Sequence, residues 1–281
     1  MTVEEVWRRQ RQWSGLANAR TAALRRWRKT NLVLVVVGAL LGVLATQASF
    51  SKNAQTALGV TGSVLLALAA IIQGQCIGPA QVKERVTARS AAETLRGAVH
   101  RHQSGFGGGT AELTAARDLV ADKGEALAAQ VRERPEDAAG LPEPGIRAYV
   151  DDRARAQLDF HSRGATRHTT LEQRWRLAQI AATAVAALLS AIGGSLVGTT
   201  LSAWVGVATT VAGAVGAHLA SEQHGRIAAR YASTADQLEQ LLGGFDPATA
   251  DPAAAAAFVG AVEGVLDRQN STWVSTLVGE R

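Results

Sequence analysis

The chain has 281 residues, 47% of them hydrophobic, and a formal net charge of +5. Its mean hydropathy of +0.04 is too high for a typical soluble protein and too low for a transporter made mostly of spans. The sequence shows no basic face with interleaved aromatic residues, which disfavours nucleic acid as a partner.

The first 29 residues are strongly basic, with eight Lys or Arg residues against only Glu4 and Glu5. Each base next to a bilayer can contribute about 1 kcal/mol of binding to anionic headgroups. The segment ends in Arg26, Trp27 and Arg28, where the indole suits the interfacial belt and the Arg side chains reach the phosphates. We predict that this trio anchors a span; the alternative, a ligand-binding role, is disfavoured.

The first apolar region comprises residues 30–51 and 53–82, which carry no charge and are separated by Lys52. A crossing of a hydrocarbon layer about 30 Å thick needs about 20 apolar residues, so two spans fit. A signal peptide is excluded because the preceding segment is long and a second apolar run follows at once. The single Cys76 excludes an internal disulfide and fits a reducing compartment.

The middle segment predicts helices over residues 83–103 and 110–134, broken by the glycine-rich stretch 105–109. This stretch does not predict a phosphate-binding loop, because no strand precedes it and no Lys-Ser/Thr pair follows. Residues 135–145 hold three of the six prolines and are predicted to be a linker. A long helix is then predicted over residues 146–176.

A second anchor, formed by Arg174, Trp175 and Arg176, leads into residues 177–221, which have no Asp, Glu, Lys or Arg. These 45 residues fit two further crossings with a turn at 198–202. Lys and Arg are rare in both predicted turns and frequent elsewhere. The positive-inside rule therefore places both termini and the middle segment in the cytoplasm of a multi-pass cell-membrane protein.

The C-terminal region predicts an amphipathic helix over residues 222–243 and a last helix beginning at Asp251-Pro252, a capping pattern typical of helix starts. No segment resembles a strand. The predicted fold class is therefore all-α: an integral membrane protein with two transmembrane helical hairpins, four spans in all, plus a cytoplasmic helical layer.

The two halves of the chain form a tandem repeat. An offset of 148 aligns Arg26-Trp27-Arg28 with Arg174-Trp175-Arg176, and after the hairpins the offset becomes 141. Such self-similarity suggests duplication of one unit. We predict a first unit over residues 1–134, a proline-rich linker over 135–145 and a second unit over 146–281.

Pairs of small residues four positions apart recur in the spans and let helices approach closely. They serve either tight packing within each hairpin or association between copies, and we expect a homo-oligomer. The residues concerned are Gly38, Gly42, Gly59, Ser63, Ala212, Gly213, Gly216 and Ala217.

Four hydroxyl residues, Thr183, Ser190, Thr209 and Thr210, are candidates for lining a wide, weakly selective pore. The alternative is that they bond back to the carbonyls of their own helix. No ionisable residue lies in the middle of a span, which argues against a proton relay, a voltage sensor or a charge-coupled transporter.

No pattern in the sequence indicates catalysis. The six histidines, the carboxylates and Cys76 have no zinc-ligand spacing, and no nucleophile–base arrangement is evident. We therefore expect neither an enzyme nor a cofactor.

The residue pattern resembles the SLATT family, bacterial two-transmembrane domains with flanking cytoplasmic helices. Gln12-Trp13-Ser14 and Arg26-Trp27-Arg28 resemble one subtype. Tyr149-Val-Asp-Asp-Arg153, Gln157-Leu-Asp-Phe160 and Arg163-x-Ala165 resemble another, although His161 stands where a second aromatic residue is expected. The resemblance implies two copies in tandem, covering most of the chain outside the linker.

The resemblance also implies a function. Members of the family are regarded as effectors in bacterial defence that form pores or perturb the membrane when a cytoplasmic sensor protein or a nucleotide signal triggers them. The lipid bilayer, a homo-oligomer and such a sensor or nucleotide are the implied partners. The alternative that the residues leave open is a non-conducting membrane scaffold that presents a cytoplasmic helical surface.

Overall fold

The computed structural model describes residues 2–47, 50–134, 140–195 and 200–278, and within these ranges every regular element is helical. The all-α prediction is confirmed. The α-helices are α1 (Val3–Leu44), α2 (Lys52–Gln75), α3 (Pro79–Ser104), α4 (Gly109–Lys123), α5 (Ala128–Arg132), α6 (Ile146–Ala148), α7 (Ala156–Ser195), α8 (Thr200–Glu222), α9 (His224–Gly243) and α10 (Pro252–Val278). A 3₁₀ turn spans Glu125–Leu127, and a π-helical segment spans Tyr149–Arg155.

The chain divides into two compact units. One, here called the extramembrane unit, comprises Met1–Ala22, Pro79–Thr166 and Ala228–Arg281; the other, the hairpin unit, comprises Ala23–Gly78 and Arg167–Ile227. Each unit contains segments from both halves of the sequence repeat. The sequential boundaries at residues 134 and 146 therefore stay a prediction.

The hairpin unit belongs to a multi-pass membrane protein. Four helical stretches are long and apolar enough to cross a membrane, in Val3–Leu44, Lys52–Gln75, Ile146–Ile192 and Trp204–Gly243. Large apolar side chains on these helices are exposed, a pattern that suits lipid contact and would be unfavourable in water. Examples are Val33, Val60, Ile71, Leu177, Ile180 and Leu188.

Two details of the hairpins go beyond the sequence prediction. The basic N-terminal segment and the first span form a single 42-residue helix, α1, because nothing between them breaks the helix. Lys52, predicted to separate the first two spans, is the first residue of α2, whose N-cap Ser51 accepts a hydrogen bond from the Ala54 amide at 3.3 Å. In the second hairpin, part of the turn predicted at 198–202 lies outside the described residues, and α8 begins at Thr200.

The first core cluster of the extramembrane unit packs the start of α1 against α3 and α4. Trp13, Leu16, Leu95 and Leu113 are buried in it. The helix predicted over residues 110–134 is interrupted at Gly124. A Cβ at this position would lie 2.7 Å from the indole Cζ2 of Trp13. The indole therefore occupies the space that a side chain at position 124 would need.

The second core cluster of the same unit packs the π-helical segment against α9 and α10. Val150, Leu238 and Val262 are almost fully buried, and the rings of Phe245 and Phe258 stack with centroids 4.0 Å apart. This packing fixes α10 and with it the buried carboxylate described below.

The start of α10 provides a first test of stability. Asp251 Oδ1 accepts a hydrogen bond from the Ala254 amide at 2.7 Å, as the predicted cap requires. We expect Asp251→Ala to lower the free energy of unfolding by about 1 kcal/mol, since the amide loses its acceptor. Urea titration followed by circular dichroism measures it, and Asp251→Asn, which keeps a capping oxygen, is expected to lose much less. An unchanged stability in the Ala variant would contradict the cap.

Candidate functional site

A buried ion pair lies at the centre of the extramembrane unit. Arg153 and Glu263 are each 2% exposed. Arg153 Nε donates to Glu263 Oε1 at 2.9 Å and Nη2 donates to Oε2 at 3.0 Å, so the guanidinium and the carboxylate meet as a two-bond fork. Such forks are stronger and more directional than single hydrogen bonds.

Local structure brings the two charges together. Tyr149 and Arg153 lie on the π-helical segment, one turn apart, and the Tyr149 hydroxyl donates to Glu263 Oε1 at 3.0 Å. Segments of π-helix are frequent at functional sites. On α3, Gly97 leaves room for the carboxylate, because a Cβ there would lie 2.9 Å from Glu263 Oε2.

The pair extends into a network across α3, α4 and α10. Arg101 Nη1 lies 3.8 Å from Glu263 Oε2 and 3.8 Å from Asp267 Oδ2, and its Nε also donates to Glu112. Arg153 Nη1 lies 3.7 Å from Glu93 Oε2. The network therefore holds three helices and the π-helical segment around one carboxylate.

The electrostatics of the network fix the protonation states of Arg153 and Tyr149. Burial alone would lower the pKa of Arg153, but the Glu263 carboxylate more than offsets it and raises that pKa above its ordinary value. Burial, with the nearby Glu263 charge, raises the pKa of Tyr149. Tyr149 therefore stays protonated and Arg153 stays charged at every physiological pH.

A cavity of about 580 Å³ opens beside this network, within the size range of small-molecule sites. It lies between the start of α1, α3 and the π-helical segment. Its lining residues are Trp7, Gln10, Arg11, Ser14, Gly15, Asn18, Arg96, His100, Arg134, Asp152, Arg153 and Gln157. Four guanidinium groups against the single carboxylate of Asp152 make the lining electropositive.

The lining contains buried donors that make no hydrogen bond with any described residue and that no other contact explains fully. Two of them are Gln10 Nε2 and Arg153 Nη1, and the side chain of Gln10 is 1% exposed. A buried donor without an acceptor is costly, which makes each such group in a native protein a feature to be explained.

His100 completes the lining as a neutral ring. Burial, followed by the charges of Arg153 and Arg96, lowers the pKa of His100 to about 3. Its ring contacts Trp7 on one side and Tyr149 on the other, with centroids 6.0 Å and 6.5 Å apart. His100 is therefore available as a neutral donor or acceptor toward the cavity.

His161 provides a prediction about pH. It is 1% exposed, and burial together with Arg89 lowers its pKa to about 4, whereas an unfolded His titrates near 6.5. As pH falls below about 6.5 the unfolded chain binds a proton that the native ring refuses, so stability decreases toward pH 4. We expect His161→Leu to reduce this dependence by on the order of 1 kcal/mol per pH unit.

Urea titrations of both proteins between pH 8 and pH 4.5 test this expectation. At pH 8 His161 is neutral in both the folded and the unfolded protein, so a difference in stability between the two proteins at that pH measures packing alone. Parallel stability profiles of the two proteins across the whole range would show that His161 is accessible to protons in the native state.

The predicted interfacial anchors have neighbours inside the hairpin unit. Trp27 is 42% exposed, and Arg28 Nη1 pairs with Glu222 at 3.2 Å. The Trp175 ring lies 4.5 Å from that of His218, and Arg176 pairs with Glu172 at 3.6 Å. Nothing in these contacts distinguishes lipid anchoring from packing, so anchoring by Arg26, Trp27, Arg28, Arg174, Trp175 and Arg176 stays a prediction.

The predicted small residues fall into two groups. In the first hairpin the close contact joins Gly38 to Gly62, because a Cβ on Gly62 would lie 2.9 Å from the carbonyl oxygen of Gly38. A Cβ on Gly59 would contact only the Ala45 Cβ, at the ordinary distance of 3.6 Å. Ser63 is exposed. Gly62 was missed because the sequence pairs small residues along one helix, whereas the contact is made across two.

In the second hairpin, Gly216 lies against the Gln179 side chain, because a Cβ on Gly216 would lie 2.8 Å from Gln179 Nε2. Gly213 differs, since none of the described atoms lies within 4 Å of a Cβ built there. Ala217 is also exposed. Helix α8 therefore presents small residues that its own hairpin leaves uncovered.

The predicted pore-lining hydroxyls are exposed, and three of them bond to their own helix. Thr183 donates to Gln179 O at 2.9 Å, Thr209 to Val205 O at 2.8 Å and Thr210 to Gly206 O at 2.8 Å. A hydroxyl group that donates its proton in this way still has oxygen lone pairs that can accept a hydrogen bond. Pore lining by Thr183, Ser190, Thr209 and Thr210 stays a prediction.

The described residues contain no group of three or more His, Cys, Asp or Glu side chains placed to hold a metal ion. The buried network itself was not predicted from the sequence. One signal was present: Glu263 is the only charged residue between Asp251 and Asp267, in an otherwise apolar helical run. An isolated carboxylate in such a run needs a buried partner.

Comparison with known families gives two matches. Residues 149–273 match the family described as "SMODS and SLOG-associating 2TM effector domain 1", SLATT_1. Residues 11–104 match a second family, described as a protein of unknown function, DUF4231. No curated protein and no solved structure matches the chain. The predicted resemblance is confirmed for residues 149–273, and a second SLATT copy in the first half is not confirmed.

Proposed function

We propose that this chain, whose residues 149–273 match the SLATT two-transmembrane effector domain, oligomerises in the membrane and forms a pore, or perturbs the bilayer, in response to a cytoplasmic signal. The extramembrane unit receives the signal and the spans carry out the effect. No catalytic step is part of the proposal.

The observation that carries the proposal is the surface of α8. A lipid-facing helix needs no glycine, yet Gly213 lies exposed on a span with no neighbour among the described residues. Small residues on a membrane helix surface favour close approach of another helix. A second copy of the chain supplies such a helix.

Two long helices offer a route from signal to spans. Both α1 (Val3–Leu44) and α7 (Ala156–Ser195) contribute residues to the extramembrane unit and continue without a break into the hairpin unit. The positive-inside rule places the extramembrane unit and both termini in the cytoplasm.

A vesicle leak assay tests the proposal. The purified chain is reconstituted in vesicles loaded with a self-quenching dye, and its oligomer size is measured by mass photometry in the same lipid. We expect dye release from a defined oligomer. A monomer or dimer that releases no dye, with or without nucleotides, would instead support a non-conducting scaffold that presents the extramembrane unit to a partner.

A further inference from the structure

The cavity of the extramembrane unit has the properties of an anion site. Arg11, Arg96, Arg134 and Arg153 line it, against one carboxylate, that of Asp152. Arg153 is committed to Glu263, and Arg96 pairs with Glu93 at 3.1 Å. Arg134, in contrast, makes no ion pair with any described residue. The charge of Arg134 is therefore not neutralised by an ion pair within the described part of the unit.

The buried donors of the lining also indicate an anionic ligand. Gln10 Nε2 and Arg153 Nη1 are both donors, both are withdrawn from solvent and neither makes a hydrogen bond to a described residue, although Arg153 Nη1 lies 3.7 Å from the Glu93 carboxylate. They lie on different elements, α1 and the π-helical segment, and both residues line the same cavity. A ligand that offers several acceptor oxygens would satisfy both at once.

The charge and the size together restrict the ligand. Phosphate groups carry two or three acceptor oxygens and up to two charges, and arginine binds them in two-bond geometry. A volume of about 580 Å³ is larger than inorganic phosphate needs and suits a molecule of mononucleotide size. The Trp7 indole and the neutral His100 ring supply the flat walls that a planar or apolar moiety would contact.

We infer that this cavity binds a phosphorylated small molecule of about mononucleotide size, whose phosphate oxygens accept hydrogen bonds from Gln10 and Arg153 and neutralise Arg134. The inference rests on the proposed function in one respect: the ligand is the signal that the extramembrane unit receives. The phosphate can belong to a free metabolite or to a lipid headgroup, and the test separates these sources.

The test is calorimetric titration of the full chain in nanodiscs of zwitterionic lipid. The probes are AMP, inorganic pyrophosphate, adenosine and citrate, with a parallel sample in nanodiscs that contain a phosphoinositide. We expect AMP or pyrophosphate to bind while adenosine and citrate do not. Phosphate binding that is blocked by the phosphoinositide assigns the site to a headgroup; binding that is unaffected assigns it to a soluble ligand.

Three variants make the test specific. Gln10→Leu and Arg134→Gln are expected to weaken phosphate binding at least about tenfold, because each removes a donor. Arg147→Gln, a change of the same kind at an exposed position outside the cavity, is expected to bind as the unchanged chain does. Gln10→Leu should also unfold no more easily, since it removes a buried donor that lacks an acceptor.

The inference is overturned if none of the phosphate probes binds, or if Arg134→Gln and Arg147→Gln bind them equally well. Dye release is recorded separately. Binding without any effect on release would leave the site in place and count against its role as the signal. Release without binding would retain the pore and refute the cavity as a ligand site.

Discussion

Glu263→Ala is expected to destabilise the extramembrane unit by about 3–5 kcal/mol, the cost typical of leaving one partner of a buried ion pair alone. Arg153 would keep its charge at 2% exposure with its two hydrogen bonds to Glu263 removed. The Tyr149 hydroxyl would lose its acceptor as well. Urea titration of the reconstituted chain, followed by tryptophan fluorescence, measures the loss.

The double variant Arg153→Met with Glu263→Met is the matched control. It removes both charges and fills the space with flexible apolar side chains, so we expect it to recover most of the stability lost by Glu263→Ala. If Glu263→Ala costs less than about 1 kcal/mol, water reaches Arg153 and the pair is not the centre of the unit.

The sequence predicted the membrane part of this protein well because hydrocarbon imposes a simple rule. Each crossing needs about 20 apolar residues, and the uncharged stretches 30–51, 53–82 and 177–221 meet that rule. The helical break at Gly105 and the start of α10 at Asp251-Pro252 were predictable for a similar reason, since glycine and capping residues act locally.

The network could not be predicted in the same way because its members are far apart in the chain. Arg153 and Glu263 are separated by 110 positions, and Glu93 joins them from another helix. Periodicity places residues on a helix face but does not say which faces meet. The Tyr149–Arg153 motif was noticed only as a family resemblance, although its spacing of four predicts that both side chains share a face.

The break at Gly124 and the contact at Gly62 were missed for a related reason. Each glycine is required by a side chain or a backbone from a different element: the Trp13 indole in one case and the Gly38 carbonyl in the other. A glycine inside a helix-forming pattern signals a close approach without naming the partner.

Gly213→Leu is expected to abolish oligomerisation and dye release while the hairpin unit still inserts and folds. Among the described residues nothing lies within 4 Å of a Cβ at position 213, and the position is exposed, so we expect a single chain to tolerate the larger side chain. Leucine is also the better helix former by about 1 kcal/mol. A loss of release therefore cannot be attributed to unfolding, and it locates the interface between copies on α8.

The comparison with two other variants makes this result decisive. Val60→Leu enlarges an exposed side chain, 58% accessible, on the first hairpin and is expected to leave release unchanged. Gly62→Leu would collide with the Gly38 backbone and is expected to disrupt folding of the hairpin itself.

If losing the α8 contact costs about 1.4 kcal/mol or more per interface, Gly213→Leu reduces association at least about tenfold. Dye release that persists in a folded Gly213→Leu oligomer would show that the pore is formed by another face of the spans.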